Sequence, residues 1–409
     1  MESTTSPPRL LRIFPHSSRS MGELADGSIQ LIVTSPPYPM IAMWDPQFSL
    51  QDPAIGEALE EGRGNDAFEQ MHLLLDQVWK ECYRVLCPGG FLCINIGDAT
   101  RTIAGEFQLY SNHSRITEAC RALGFTVLPL ILWRKTTNAP NKFMGSGMFP
   151  AGAYVTLEHE YILIFRKGGK REFRTPQEKT RRWESAFFWE ERNRWFVDLW
   201  DLSGVRQGLG SPNGDLQAAE TTGGERLIEE VSQSASSQSP RSRSGAFPLE
   251  LAYRLILMYS LRDDWVLDPF LGTGTTLVAA AITGRNGVGY EVEEGLVKEA
   301  RKNILSCKPL GVQILEDRLH AHRQFMAQRE AKQKNGGLPK GRGGSPSYWN
   351  ETLRVPVVTR QEIQLRWEVV QLIEEILQPP IEKGSILSNA LSFQVTLRPF
   401  TPEDCGLPF

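Results

Sequence analysis

Residues 265–276 read Trp265-Val-Leu-Asp268-Pro-Phe270-Leu-Gly272-Thr-Gly274-Thr275-Thr276. A short apolar strand meets a proline, then two glycines one residue apart, then an apolar run of helical length. A strand that turns through glycine into a helix lets a ligand approach the main chain at the carboxyl edge of a parallel sheet. Leu277 stands where a dinucleotide fingerprint needs its third glycine, and the Gly-Lys-Ser/Thr ending of a phosphate loop is missing. The next strand, Gly287–Glu291, ends on an acid nineteen positions after Gly272. A carboxylate there can accept hydrogen bonds from both hydroxyls of a ribose, or cap the helix that follows.

Outward from this stretch, the same alternation recurs. Leu249, Leu251, Ala252, Leu255, Ile256 and Tyr259 make a helical stripe before the strand, and Leu296–Leu305 a further helix after it. In the first third of the chain, Ile29–Thr34 is an apolar strand stopped by Ser-Pro-Pro. Phe68 to Leu86 repeats at helical spacing and stops at Pro88-Gly89-Gly90. Phe91–Ile96 is a strand closed by Gly97-Asp98, and a helix near Ile116–Leu123 leads to a strand at Val127–Trp133. Helices alternating with near-continuous apolar strands predict an α/β protein with a mostly parallel sheet. Residues 136–245 are rich in Gly, Asn, Arg and aromatics and are periodic only at Tyr161–Phe165. Within them, Val231–Ser244 has the composition of a mobile loop. After about residue 325 come a Gly/Lys-rich linker, an expected helix at Gln361–Leu377 and a short apolar tail.

Composition bounds the class. Of 409 residues, 41% are hydrophobic and 23% charged, the balance of a soluble globular chain. No apolar run reaches the 18 or so residues a membrane span needs, and the first fifteen residues lack a signal-peptide layout, so a cytoplasmic location is expected. The six cysteines form no CxxC pair, so neither a zinc ribbon nor a redox motif is expected, and no metal is called for. A net charge of -3 conceals two basic stretches. Arg166–Trp200 carries ten Lys and Arg against six Asp and Glu, and Arg318–Gly344 is more basic still. Both suit phosphate contact or a solvated face.

A second constellation, Thr34-Ser35-Pro36-Pro37-Tyr38, also ends a strand. Two consecutive prolines remove two N–H groups and fix the backbone, leaving carbonyls without internal donors. A serine oxygen beside a proline carbonyl offers two acceptors for the two hydrogens of one amino group, and Tyr38 a flat face for a planar ring.

Together the motifs resemble the DNA amino-methyltransferases, which use S-adenosylmethionine to methylate cytosine N4 or adenine N6. TSPPY standing before DPFLGTGTT is the permuted order of that family's beta class. RVLCPGG (84–90), FLCINIGD (91–98), GFTVLPLILWRK (124–135) and SGAFPLELAYRLI (244–256) resemble its intervening segments. The resemblance covers roughly Leu31 to Lys302. It implies a Rossmann-like, seven-stranded, mostly parallel sheet in circularly permuted order. The expected divisions are a catalytic half (1–135), a target-recognition insertion (136–245), a cofactor half (246–325), and a linker with a small helical C-terminal appendage (326–409).

Carried over by position, the resemblance makes Ser35, Pro36, Pro37 and Tyr38 the catalytic loop. Asp268, Phe270, Gly272, Gly274, Thr275, Thr276 and Glu291 would surround the cofactor, with Phe247 and Pro248 packed near it. Gly245-Ala246 departs from the His-Pro usual in the family. Trp133 would lie near the flipped base or, equally, pack in the core, and Arg181, Arg182, Arg192 and Arg194 would meet double-stranded DNA. Whether a cognate restriction endonuclease accompanies the enzyme is left open, as is the oligomeric state. Serine at position 35 points to cytosine N4 in this family, with adenine N6 the alternative. Ring-carbon methylation needs a cysteine nucleophile in a Pro-Cys context, whereas this chain has Cys87-Pro88.

Overall fold

The strand Ile29–Thr34 is buried along nearly its whole length, with parallel neighbours on both sides and a packed cluster over each face. Apolar residues at every position, rather than every second one, are what a strand covered on both faces requires. The computed structural model describes residues 7–135, 144–202, 247–334, 348–376 and 390–405. It builds one eleven-stranded mixed sheet. Across it lie Leu199–Asp201, Ile131–Arg134, His159–Lys167, Leu86–Ile96, Ile29–Thr34, Trp265–Asp268, Asn286–Tyr290, Arg9–Phe14, Leu391–Pro399 and Glu368–Ile376, with Phe125–Val127 pairing beside His159–Lys167. From Leu86–Ile96 to Arg9–Phe14 all pairings are parallel, and antiparallel strands extend this centre on both flanks. The α/β class and parallel centre agree with expectation; the sheet is wider than seven strands because both flanks add to it.

Helices cover the two faces. Gly64–Val85 buries Met71, Leu75, Val78, Trp79 and Cys82 as one stripe on one face. Leu249–Tyr259 and Thr275–Ile282 pack with Glu294–Ser306 on the other, around Leu251, Leu255, Leu277 and Ile304. Among the described residues no helix is long and apolar enough to cross a membrane.

Three expectations are corrected. The periodic Tyr161–Phe165 is part of a nine-residue strand, His159–Lys167, antiparallel to Leu86–Ile96. The span 136–245, expected as an insertion, therefore supplies a strand of the sheet's antiparallel flank, longer than its periodic stretch. The helix expected at Gln361–Leu377 is a strand, Glu368–Ile376, hairpinned with Leu391–Pro399 and joined to the sheet through Arg9–Phe14. It is no helical appendage. A bulge between Val370 and Leu372 breaks the two-residue alternation, so its apolar positions fall at helix-like spacing. Finally, helix Lys308–Lys334 runs on past residue 325. Its Arg318 is buried against Glu191 at 2.6 Å, which removes it from any basic surface. The Val231–Ser244 loop lies outside the described residues.

Two buried carboxylates tie the sheet together. Glu368 pairs with Arg262 and, at 3.4 Å, with Arg9, which also pairs with Asp263; this fastens the C-terminal hairpin to the core. Deleting one member leaves desolvated charge behind, so Glu368→Ala should lower unfolding free energy by about 3–5 kcal/mol in a urea titration. Asp268, 1% exposed, accepts from Thr34 Oγ1 at 2.7 Å, Thr276 Oγ1 at 2.6 Å and the Phe270 N–H at 3.0 Å. Burial raises its pKa to about 6, although the three hydrogen bonds pull it down. Between the ordinary 3.8 and about 6, the folded state thus holds a proton that the unfolded chain has released. Stability contributed by this group is therefore present at low pH and lost as pH rises through that window. Asp268→Asn should flatten that fall when denaturation midpoints of the two proteins are compared across it.

Candidate active site

Thr34, anchored on Asp268, is the last residue of its strand, and Ser35-Pro36-Pro37-Tyr38 leaves the sheet from there. Ser35 Oγ donates to Tyr38 Oη at 3.2 Å, and Tyr38 Oη donates to Glu160 Oε2 at 2.8 Å. Asn95 Nδ2 donates to both Tyr38 Oη and Glu160 Oε2 at 2.7 Å. Lys135 Nζ pairs with Glu160 Oε1 and lies 4.5 Å above the Trp133 ring. Burial first, and the nearby Glu160 charge second, hold the Tyr38 phenol well above its ordinary pKa, so it remains a donor. Beside the ring, an added Cβ at Gly97 would come within 3.0 Å of Tyr38, so a larger residue there would displace it. With its hydrogen turned toward Tyr38, Ser35 presents oxygen lone pairs, and neither proline adds a competing N–H.

At the adjoining strand end, Gly272 and Gly274 adopt left-handed backbone at φ +54° and +88°. A Cβ on Gly272 would meet nothing within 4 Å, whereas one on Gly274 would come within 2.9 Å of the Ala300 Cβ. The first glycine thus faces open space, and the second lets helix Thr275–Ile282 pack against helix Glu294–Ser306. Glu291 accepts from the Gly272 N–H at 2.9 Å and the Glu293 N–H at 2.8 Å. Burial is the main cause of its raised pKa. Each of its oxygens keeps a lone pair for a further donor such as a ribose hydroxyl. Phe270 packs edge-on against Trp79, and Thr275 opens its helix. Phe247 and Pro248 are buried at the start of helix Leu249–Tyr259. Asp268 and Thr276 spend their polar atoms on each other and on Thr34, so they shape the turn from within.

The residues expected at DNA do not gather at the catalytic loop. Trp133 is 1% exposed and its Nε1–H donates to the Leu202 carbonyl at 2.9 Å, so it is a core residue and not a base contact. Arg181 lies 3.7 Å from Asp264, just ahead of strand Trp265–Asp268. Arg182 and Arg192 sit over Phe173 and Phe196 and, with Gln30 and Ser260, line a cavity of about 1010 Å³. Arg194 is exposed on the same short helix as Arg192. Gln30 and Asp264 are where strands begin; Ser35 and the glycine turn are where those strands end. A strand of this length, roughly 17 Å, separates the arginine cluster from the catalytic loop.

Three residues of the site escape the motifs: Asn95, Glu160 and Lys135. Asn95 leaves a trace, as a polar residue inside the apolar strand Phe91–Ile96. Glu160 and Lys135 are brought in only by the pairing of strands Ile131–Arg134 and His159–Lys167.

The model of the DNA methylase family, the N6/N4 methyltransferases, matches residues 29–302, a span that takes in both strand ends. The Type II methyltransferase M.MthZI of Methanothermobacter thermautotrophicus is 46% identical over 357 residues, 87% of this chain and 89% of that protein. M.MjaI of Methanocaldococcus jannaschii is 44% identical over 290 residues, 68% of this chain and 86% of its own. Among solved structures, TTHA0409 of Thermus thermophilus in complex with S-adenosyl-L-methionine superposes with a TM-score of 0.51 at 30% identity, over 72% of this chain and 95% of that one. A family match over two thirds of the chain and relatives at 46% and 44% identity place it plainly: the chain belongs to the N6/N4 DNA methylases, as a beta-class DNA amino-methyltransferase.

Proposed function

We propose that the chain transfers the methyl group of S-adenosyl-L-methionine to the N4 amine of cytosine in duplex DNA, directly and without a covalent enzyme intermediate. The carrying observation is the Ser35 hydroxyl, whose hydrogen is donated to Tyr38 and whose oxygen is therefore an acceptor. That oxygen and the Pro36 carbonyl would take the two amine hydrogens, localise the nitrogen lone pair and aim it at the methyl group. The choice of cytosine rests on serine at this position of the motif.

The open space over Gly272 and the spare lone pairs of Glu291 fit the methionine and ribose parts of the cofactor. When bound, the sulfonium supplies an electrophilic methyl group. A route through a cysteine adduct at the ring carbon has no support: burial raises the thiol pKa of Cys82, Cys87, Cys93, Cys120 and Cys307. The target base leaves the duplex to reach Ser35. We place the duplex on the edge that carries Ser35, over the hairpin Ala99–Tyr110 and residues 144–157, where Phe107 stacks on Tyr154 at 4.5 Å. The Type II names of the two archaeal relatives favour a companion restriction endonuclease of matching specificity.

Ser35→Ala should slow turnover by about two to three orders of magnitude while leaving cofactor affinity intact. Nucleosides from DNA methylated by the wild-type enzyme, resolved by mass, should contain N4-methylcytosine. N6-methyladenine alone would assign the site to adenine instead. Gly272→Val, which fills the open side of the turn, should abolish S-adenosylmethionine binding in calorimetry yet leave DNA binding in place.

A further inference from the structure

Behind the catalytic loop, the hydrogen bonds around Tyr38 have a forced direction. Asn95 is buried, and its amide nitrogen can only donate; it gives one hydrogen to Tyr38 Oη and one to Glu160 Oε2. Its Oδ1 has no hydrogen-bond partner, so the amide is held through its donors. Tyr38 Oη thus receives Asn95 and Ser35, and its single hydrogen must go to a group that only accepts. The Glu160 carboxylate is such a group, and its other oxygen is paired with Lys135. Ser35, in turn, has one hydrogen, and Tyr38 takes it.

We propose that Glu160 sets the direction of the chain Ser35→Tyr38→Glu160 and so keeps Ser35 Oγ an acceptor for the target amine. Glu160 is a positioning residue, acting through Tyr38 without touching the base, and the inference rests on the amine-binding reading of Ser35. A neutral amide at position 160 can instead donate to Tyr38. The phenol hydrogen then turns to Ser35, and the serine hydrogen points at the amine, against its hydrogens.

Full-length Glu160→Gln, Glu160→Ala and Tyr38→Phe enzymes, assayed with tritiated cofactor on DNA that the wild type methylates, test this. We expect kcat to fall roughly tenfold to a hundredfold in each, less than for Ser35→Ala, with KM for DNA and the calorimetric cofactor Kd unchanged. Glu160→Gln combined with Tyr38→Phe should be no slower than the slower single variant, because both break one chain. Added to Ser35→Ala, Glu160→Gln should have no further effect. A wild-type kcat for Glu160→Gln, a loss in KM alone, or additive losses in the double variant would overturn the inference. Unchanged cofactor Kd also shows that each variant is folded. If Ser35→Ala itself turns over normally, the reading of Ser35 fails; if Ser35→Ala is slow while Glu160→Gln is not, only the role of Glu160 falls.

Discussion

Everything at the site depends on one carboxylate that faces no solvent. Asp268 ends the strand before the glycine turn, and its two oxygens reach Thr34 on one side and Thr276 on the other. Thr34 immediately precedes the acceptor loop, and Thr276 stands in the first turn of the helix behind the cofactor turn. Two strand ends 234 residues apart in the chain are thereby held side by side by hydrogen bonds of 2.7 and 2.6 Å. On the proposed reading, a methyl donor on one and an amine on the other would gain their alignment from this clamp. Burying the carboxylate costs free energy, and three donors offset it.

The same logic of forced partners extends outward. Tyr38 receives two donors and gives one hydrogen, so its ring can neither swing nor surrender its proton readily. Glu291 braces the glycine turn by accepting from Gly272, while its strand is fixed to the first strand through the bond from the Glu291 N–H to the Phe14 carbonyl. Preorganisation here consists of hydrogen-bond groups whose hydrogens are all committed within the site, leaving lone pairs on Ser35 and Glu291 for a ligand.

Both strand-end motifs were legible because each consists of adjacent residues whose chemistry is local: proline removes donors, and glycine permits positive φ. The parallel centre was legible because strands buried on both faces are apolar throughout. The supporting residues were not. Glu160 reaches Tyr38 only because an antiparallel strand from a polar, irregular span pairs with Leu86–Ile96, and no spacing rule links position 160 to position 38. The arginines show the converse: their local mix of charge and aromatics is real, but no spacing rule reveals that the fold sets them beside the edge where strands begin. A bulge disguised the strand Glu368–Ile376 as a helix, since periodicity assumes an unbroken pleat.

The position of Arg9–Phe14 bears on how the molecule assembles. This strand lies between Asn286–Tyr290 and Leu391–Pro399, so both of its sheet neighbours are made more than 270 residues after it. On the ribosome it must wait without partners while most of the chain is synthesised. Loop closure over such separations is entropically expensive, and topologies of this kind fold slowly. The Glu291 N–H bonds to the Phe14 carbonyl, so the acid beside the glycine turn is fully held only once Arg9–Phe14 has docked on Asn286–Tyr290. An apolar strand left waiting is also the segment most exposed to pairing with the wrong edge.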